Sequence, residues 1–193
     1  MPPKVKYTRE EILQAAVNLT RERGFEAVTA RDVGARLGTS AKPVYTAFAG
    51  MNELKAAVIE EAGARFDAFR LRELADGKYP AYKCIGMAYI RFAKEERNLF
   101  RLLFMRDRRC EVPDTRALGY QDSVRILENQ TGLDEAAANL FHAEMWVAVH
   151  GIAVTFATAY QDWDMELVGR MLTDIYEGLN ARQPLPASRE TFR

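Results

Sequence analysis

Apolar residues recur at the spacing of an α-helix along almost the whole chain, and this periodicity limits the possible folds more than any other feature of the sequence. The first helix begins at Thr8, where Thr8 and Glu11 have the spacing of a capping box. Apolar residues from Ile12 to Leu19 follow at i, i+3, i+4 and i+7, and Gly24 supplies a stop. No run of alternating β-branched residues lies between tight turns, so strands are not expected. The sequence predicts an all-α protein of about nine helices.

The predicted helices are short before residue 50 and mostly longer after it. Residues 8–50 contain three helices, separated at Gly24 and by the turn Gly38-Thr39-Ser40, in which Ser40 can cap the third helix. Six more are predicted at Met51 to Leu74, Pro80 to Glu96, Asn98 to Met105, Thr115 to Asn129, Asp134 to Ala159 and Asp164 to Ala181. We therefore expect a three-helix N-terminal domain over residues 1–50 and a C-terminal helical bundle over residues 51–193.

The composition excludes several classes of protein. With 48% hydrophobic and 28% charged residues among 193, the chain has the composition of a folded globular protein. Its two cysteines, Cys84 and Cys110, form no CxxC pattern, so neither a disulfide framework nor a zinc site is expected. The N-terminus lacks the apolar core of a signal peptide, and the longest apolar stretch, Met145 to Tyr160, is shorter than the ~18 residues of a membrane span. These features favour a cytoplasmic protein with no membrane partner.

Motifs of common catalytic sites are also missing from the sequence. It contains no GxGxxG, no P-loop, no GxSxG and no HExxH. His142 and Glu144 are two residues apart on a predicted helix, so their side chains point about 200° apart and cannot chelate one ion. We expect a protein that is not an enzyme and that needs neither a cofactor nor a metal ion.

The formal net charge is zero, with 27 basic and 27 acidic residues, but the charges are unevenly distributed. Residues 1–48 contain eight basic and five acidic residues, a net charge of +3, and the rest of the chain therefore carries −3. A basic N-terminal segment is compatible with a nucleic-acid partner, although a split of this size also arises by chance.

Two short helices around the turn at residues 38–40 have the pattern of a helix-turn-helix unit. In the second of these helices, Val44 and Phe48 fall on one side and can anchor it. The outer side and the turn carry Thr39, Ser40, Lys42, Tyr45 and Thr46, with Pro43 at the edge. Such a helix fits the major groove, where these side chains can bond to phosphates and base edges. In a plain helical bundle, the same residues would form a solvated face.

Residues from Thr8 to Leu54 resemble the N-terminal domain of TetR-type transcriptional repressors. The resemblance rests on an ordered set of segments, namely Ile12…Ala15-Ala16…Leu19…Arg23-Gly24-Phe25, Val28 to Gly38, Val44 to Phe48, and Glu53-Leu54. These segments cover about a quarter of the chain. By position, the resemblance implies that Thr29 and Tyr45 contact phosphates. It also implies that Thr39, Ala41, Lys42, Pro43 and Thr46 lie at or near base edges.

The chain departs from the family pattern at two positions. Ala47 stands where an aromatic residue or His is common, and Met51 stands where Lys is common. Because both family residues contact phosphates, we expect a weaker grip on DNA or compensation by nearby basic residues. The compensating residues would be Lys4, Lys6 and Arg9, and Arg31 and Ser40 complete the predicted DNA-binding set.

A thinner resemblance lies beyond residue 80. The segment from Tyr89 to Phe104 and the motif Trp146…His150-Gly151 are similar to one subgroup of TetR regulatory domains. Aromatic side chains and Met105 could wall a ligand pocket. The predicted effector-binding residues are Tyr89, Phe92, Phe100, Phe104, Trp146 and His150. The structural alternative is that these aromatic residues form core, with Trp146 as filler, His150 as a satisfied polar group and Gly151 as a packing notch.

The helices at 134–159 and 164–181 are apolar over more than one face, so they must be buried within the bundle or against a second copy. In the family, the equivalent helices pair two subunits, which implies a homodimer on a pseudo-palindromic operator. The resemblance therefore implies a DNA-binding transcriptional repressor that a small-molecule effector releases from double-stranded operator DNA. The sequence leaves open both the effector and the direction of its effect. Because Ala47 and Met51 depart from the family, a helical ligand-binding or adaptor protein with weak or lost DNA binding is the alternative.

Overall fold

The computed structural model describes residues 7–107 and 119–181, which contain nine α-helices and no strand. The helices are α1 Arg9–Arg23, α2 Ala30–Arg36, α3 Lys42–Ala47, α4 Met51–Asp76, α5 Ala81–Glu95, α6 Arg97–Phe104, α7 Tyr120–Thr131, α8 Glu135–Ala157 and α9 Met165–Asn180. A short 3-10 helix, Phe25–Ala27, lies between α1 and α2. The predicted all-α fold is confirmed.

Of the two caps predicted in the N-terminal domain, the one at Thr8 is confirmed and the one at Ser40 is not. The Glu11 amide donates to Thr8 Oγ1 at 3.1 Å and the Thr8 amide donates to Glu11 Oε2 at 2.7 Å, which completes the capping box of α1. Thr29 likewise caps α2 by accepting from the Asp32 amide at 3.1 Å. The prediction that Ser40 caps the third helix is wrong, because α3 begins at Lys42 after Ala41.

Pro43 explains why Ser40 is not the cap. A capping side chain accepts from an amide two or three residues ahead, and the residue three ahead of Ser40 is a proline without an N–H. The Lys42 amide alone remains, and it donates to Ser40 Oγ at a long 3.4 Å.

The predicted first and last residues of the other helices are close to those in the structure, except for the start of α7. That helix begins at Tyr120, five residues after the predicted start, and ends at Thr131. Part of the predicted segment, residues 115–118, lies outside the described residues, as does Cys110. Cys84 is buried in α5 and donates to the Tyr79 carbonyl at 3.2 Å.

The turn between α2 and α3 is packed directly against α2. A Cβ added to Gly34 would lie 2.5 Å from the Ser40 carbonyl oxygen, so only glycine fits at this position. Val33 in α2 and Val44 in α3 are both fully buried on the inner side of the unit. These contacts fix the direction in which α3 projects from the domain.

Helix α4 runs through both parts of the chain. Its buried residues are Leu54, Val58, Ala62 and Phe66, spaced at i, i+4, i+8 and i+12, and it packs against α1 and against α5. Gly77 ends the helix in the left-handed conformation at φ 63°. Since α4 belongs to the packing of both parts, the domain boundary at residue 50 stays a prediction.

Helix α8 forms the centre of the C-terminal bundle, where it packs against α5, α6, α7 and α9. By length and composition it is the one helix among the described residues that could cross a membrane. Its inner side, which includes Ala153 and Phe156, is completely buried among the neighbouring helices. This is the arrangement of a core helix.

Candidate nucleic-acid interface and ligand cavity

Helix α3 presents the predicted polar face to solvent. Val44 and Phe48 are buried beneath it, whereas Tyr45 is 59% exposed and Lys42 and Thr46 are also exposed. The separation of anchoring and outer residues that the sequence predicts is therefore confirmed.

The remaining predicted contacts surround α3 with different degrees of exposure. Arg31 and Ser40 are exposed, and Thr39, Ala41 and Pro43 are half-buried. Thr29 is exposed, but its hydroxyl donates to the Asp32 carboxylate, and this hydrogen bond lowers the pKa of Asp32. Lys4 and Lys6 lie outside the described residues.

Most basic side chains of the N-terminal domain are already in ion pairs. Residues 7–50 contain six of them, and four pair with acidic partners: Arg9 with Glu53, Arg21 with Glu96, Arg23 with Asp32, and Arg36 with Glu22. Arg9, expected to compensate at the DNA, also lies over the Phe48 ring, 4.2 Å from its centroid. Arg31 and Lys42 are the two that form no ion pair with any described residue.

A cavity of about 1080 Å³ lies in the C-terminal bundle. Side chains from α4 to α9 form its wall, and aromatic rings dominate it. The rings belong to Phe66, Tyr82, Tyr89, Phe104, Tyr120, His142, Trp146 and Tyr176. A cavity of this size and lining suits a small organic molecule.

The cavity contains some of the predicted effector-binding residues and excludes others. Tyr89, Phe104 and Trp146 line it. Phe92 and Phe100 do not, because both are fully buried: Phe92 packs on Phe66 and Phe69, and Phe100 packs on Tyr89 and Phe104. Met105 is exposed and also lies outside the lining.

Sequence reasoning missed five of the rings in the wall, namely Phe66, Tyr82, Tyr120, His142 and Tyr176. Two of them had a usable signal. Tyr82 precedes Tyr89 by seven residues and His142 precedes Trp146 by four, so each shares a helix face with a predicted residue. Tyr120 and Tyr176 reach the cavity only through the packing of α7 and α9.

Tyr82 and His142 form a buried polar pair in the wall. The Tyr82 hydroxyl lies 2.8 Å from His142 Nδ1, and the Tyr120 ring packs edge-on against the imidazole at 4.6 Å between centroids. Burial lowers the pKa of His142 to about 4 and raises the pKa of Tyr82, so both groups are neutral near pH 7.

His150 supports the wall without lining it. Its Nδ1 lies 2.9 Å from the Tyr89 hydroxyl, and its ring stacks on Trp146 at 4.9 Å between centroids. Trp146 is 45% exposed, so the alternative that it fills the core is wrong. Gly151 is exposed with no atom within 4 Å of an added Cβ, so it is not a packing notch within one protomer.

A polar contact joins the N-terminal domain to the bundle. Arg21 at the end of α1 makes two hydrogen bonds to the Glu96 carboxylate, at 2.7 and 2.6 Å, just before α6. Asn98 in α6 donates to the Arg21 carbonyl at 2.9 Å. We call these three residues the α1–α6 clamp. Phe104 at the other end of α6 lines the cavity, so one short helix connects the clamp with the cavity.

The described ranges contain no group of three or more His, Cys, Asp and Glu side chains arranged to hold a metal ion.

Residues 12–58 match the family model for bacterial regulatory proteins of the tetR family. The matched segment includes most of α1, all of α2 and α3, and the start of α4. It therefore contains the exposed face of α3 and the turn that orients it. Among curated proteins, none matches the chain.

Several solved structures have the same fold. A TetR-like transcriptional regulator from Rhodococcus sp. RHA1 aligns with a TM-score of 0.67 and 19% identity, over 90% of this chain and 97% of that one. A TetR-family member from Streptomyces coelicolor A3 aligns with a TM-score of 0.58 and 16% identity, over 90% and 98%. SmeT, the repressor of the Stenotrophomonas maltophilia multidrug efflux pump SmeDEF, aligns with a TM-score of 0.52 and 23% identity, over 94% and 99%. At these identities, the similarity establishes the fold.

Acidification should lower the stability of the folded protein, because His142 is neutral in the folded state. Its pKa is about 4 in the folded protein against an ordinary value of 6.5, so between these pH values only the unfolded chain binds the proton. The contribution of His142 to stability is thus complete above pH 6.5 and lost as the pH falls towards 4. At about 1.4 kcal/mol per pKa unit, the loss is roughly 3 kcal/mol.

Urea unfolding at a series of pH values measures this effect. Acidic groups titrate in both proteins, so the informative quantity is the difference in free energy of unfolding between wild type and His142→Gln. We expect wild type to lose more stability than the variant below pH 6.5. Parallel curves for the two proteins would show that His142 is not held neutral by burial.

Proposed function

The chain belongs to the TetR family through its N-terminal domain, and on this premise we propose that it is a transcriptional repressor released from a palindromic operator by a small-molecule effector. The observation that carries this proposal is the exposed polar face of α3, held in place by Val44 and Phe48. SmeT, which has the same fold, is itself a repressor, and this supports the repressor role.

For DNA binding, we assign the central role to α3 in the major groove. Lys42 and Thr46 reach base edges, with Thr39, Ser40, Ala41 and Pro43 beside them, and Tyr45 contacts a phosphate. Thr29 also contacts a phosphate after its hydroxyl leaves Asp32. Arg31, Lys4 and Lys6 complete the interface. Because four neighbouring cations are paired with acids, the electrostatic grip of one protomer is modest, and two protomers must bind together.

For dimerisation, we assign an uncharged stripe on the outer side of α8. The stripe consists of Ala136, Leu140, Ala143, Val147 and Gly151, all exposed and all within about 40° of one line along the helix. Leu167 on α9 is also exposed, which supports an interface that includes both helices. Small residues in the stripe allow close approach of a second copy, and Gly151 acquires the packing role that it lacks within one protomer. The resulting two-fold dimer would read half-sites about 34–36 Å apart, or a multiple of this distance.

For effector binding, we assign the aromatic cavity, with two routes to the DNA-binding domain. Phe66 connects the cavity to α4, and Phe104 connects it through α6 to the α1–α6 clamp. An effector that displaces either ring changes the angle between the bundle and α1–α3. The effect on DNA affinity cannot exceed the difference in effector affinity between the two states, typically ~1–3 kcal/mol.

Selection of bound fragments from random duplexes tests the DNA-binding role. We expect a pseudo-palindrome to be enriched. On that duplex, Lys42→Ala should weaken binding by about 1–3 kcal/mol per protomer, because a base contact is lost, and Tyr45→Phe should weaken it through loss of a phosphate contact. Fluorescence anisotropy at fixed salt measures both effects.

Lys78→Ala is the matched control, since it removes the same charge from an exposed position in the bundle. It should bind the selected duplex as wild type does. Absence of any enriched sequence would contradict the proposal and favour an adaptor protein that has lost DNA binding. Enrichment with full affinity in Lys42→Ala and Tyr45→Phe would instead show that the assigned face of α3 is wrong.

A charge in the stripe should prevent dimerisation. Val147→Glu places two carboxylates near each other across a buried interface, which costs several kcal/mol, so the dimer dissociation constant should rise at least about 100-fold. Leu71→Glu is the control because Leu71 in α4 is 67% exposed, close to the 64% of Val147, and lies outside the stripe. Sedimentation velocity should find Val147→Glu monomeric at concentrations where wild type and Leu71→Glu are dimers. If Val147→Glu remained a dimer, the interface would have to lie outside the stripe.

A further inference from the structure

The cavity also indicates which kind of molecule it binds. Resting on the proposed effector role of this cavity, we infer that its ligand is an uncharged aromatic molecule that forms a hydrogen bond with the His142 imidazole. Three observations carry the inference: the ring-lined wall, the position of the charged groups, and the one polar atom that the buried side chains of the described wall leave without a hydrogen bond.

The wall favours a flat aromatic body. Rings line the cavity from four helices, with Phe66 on α4, Tyr89 on α5, Trp146 on α8 and Tyr176 on α9. Aromatic rings gain most from stacked or edge-on contacts with other rings, and these contacts add to the burial of apolar surface. The volume of about 1080 Å³ is sufficient for a molecule of several fused or linked rings.

Charged groups among the described lining residues are confined to two side chains. Glu177 is exposed. Lys83 is half-buried, and its Nζ donates to Thr173 Oγ1 at 2.7 Å and lies 4.5 Å from the centre of the Tyr79 ring. The two side chains have opposite charges and both remain in contact with solvent. A buried ligand of either charge would therefore have no buried counter-ion among these residues.

A charged ligand would lose its hydration in this cavity without gaining a buried ionic partner among the described lining residues. The attraction of ring faces for a cation offsets only part of that loss, since desolvation of an ion costs more than a cation–π contact returns. A carboxylate has no compensation from ring faces at all. An uncharged ligand avoids the cost altogether.

The hydroxyl groups of the buried lining residues, and that of Thr173, are occupied within the protein. Ser123 Oγ donates to the Gly119 carbonyl at 2.8 Å, and Thr173 Oγ1 donates to the Gly169 carbonyl at 3.1 Å while it accepts from Lys83. The Tyr82 hydroxyl is engaged with His142 Nδ1 at 2.8 Å. These groups have little capacity left for a ligand.

Among the buried side chains of the described lining, His142 Nε2 is the exception. It forms no hydrogen bond with any described residue, although His142 is buried and lines the cavity. The Tyr120 and Tyr176 hydroxyls, Trp146 Nε1 and the Gln130 amide also form no hydrogen bond with a described residue, but they belong to half-buried or exposed residues. If the Tyr82 hydroxyl donates to Nδ1, then Nε2 carries the proton and donates; in the other tautomer it accepts. A primary amide or a hydroxyl on the ligand satisfies either state, whereas a hydrocarbon leaves the nitrogen unpaired.

Three probes with the same naphthalene ring system test the preference for an uncharged ligand. They are 2-naphthamide, 2-naphthoate and trimethyl(2-naphthyl)ammonium, titrated into the full chain at pH 7 without DNA by isothermal calorimetry. We expect 2-naphthamide to bind at least tenfold more tightly than either ion. An ion that binds as tightly as the amide, or failure of all three probes to bind, would overturn the inference.

Comparison with naphthalene tests the contact with His142. The ratio of the naphthalene dissociation constant to the 2-naphthamide dissociation constant should fall at least fivefold in His142→Phe and in His142→Leu. Two variants are measured so that the test still stands if one of them fails to fold. His142→Gln retains a hydrogen-bonding group and should restore part of the ratio. Tyr160→Phe removes a hydroxyl from an exposed ring outside the cavity and should leave the ratio unchanged. An unchanged ratio in a folded His142→Phe or His142→Leu protein would exclude the contact.

These measurements separate the ligand class from the effector role. Binding of 2-naphthamide with the expected selectivity supports the inference even if the probe leaves DNA affinity unchanged, in which case only the proposed effector role fails. Conversely, if the protein binds its selected duplex but prefers an ionic probe, the DNA-binding role stands and the inferred ligand class is wrong.

Discussion

Helix α4 is the element on which the rest of the structure depends. It is 26 residues long, about 39 Å at 1.5 Å per residue, and its buried side belongs to one hydrophobic core that extends through both parts of the chain. Its buried residues run from Leu54 to Phe66, the helix packs on α1, and Phe66 forms part of the cavity wall. Because one rigid helix connects the N-terminal packing with the cavity, a shift at the cavity cannot be absorbed in a flexible linker. The α1–α6 clamp adds a second connection, in which the half-buried Glu96 holds Arg21 by two hydrogen bonds.

Charge is used differently in the two parts of the molecule. In the N-terminal domain, ion pairs engage Arg9, Arg21, Arg23 and Arg36, so the net charge of the first 48 residues overstates the charge that is available to DNA. Exposed pairs of this kind contribute little to stability, but they leave Lys42 and Arg31 as the basic side chains without an ion pair in the described part of the N-terminal domain. In the bundle, burial holds Tyr82 and His142 neutral, and the buried side chains of the cavity wall present rings and one nitrogen, His142 Nε2, without a hydrogen bond. One part therefore suits a polyanion and the other suits an uncharged molecule.

The N-terminal domain could be predicted from the sequence because local rules determine it. The capping box at Thr8 and the opposite placement of Val44 and Tyr45 depend on residues within one or two turns. The cap of α3 failed only where Pro43 removed the amide that Ser40 needed. The cavity could be predicted in part, since Tyr89, Phe104 and Trp146 share faces with other rings. Phe92 and Phe100 were wrongly predicted to line the cavity, and Tyr120 and Tyr176 were missed. Packing between helices that are far apart in sequence decides which rings face the cavity.

The central claim is that the cavity and the DNA-binding domain form one mechanical unit. It is tested most directly by the dissociation constant of the selected duplex with and without saturating 2-naphthamide, in wild type and in Glu96→Gln. The account predicts that the probe weakens DNA binding by about 5–150-fold in wild type, the range of ~1–3 kcal/mol of coupling. In Glu96→Gln the same ratio should be closer to one, with the affinity for the probe unchanged. A wild-type protein that binds the probe tightly and the duplex equally well in both conditions would contradict the account.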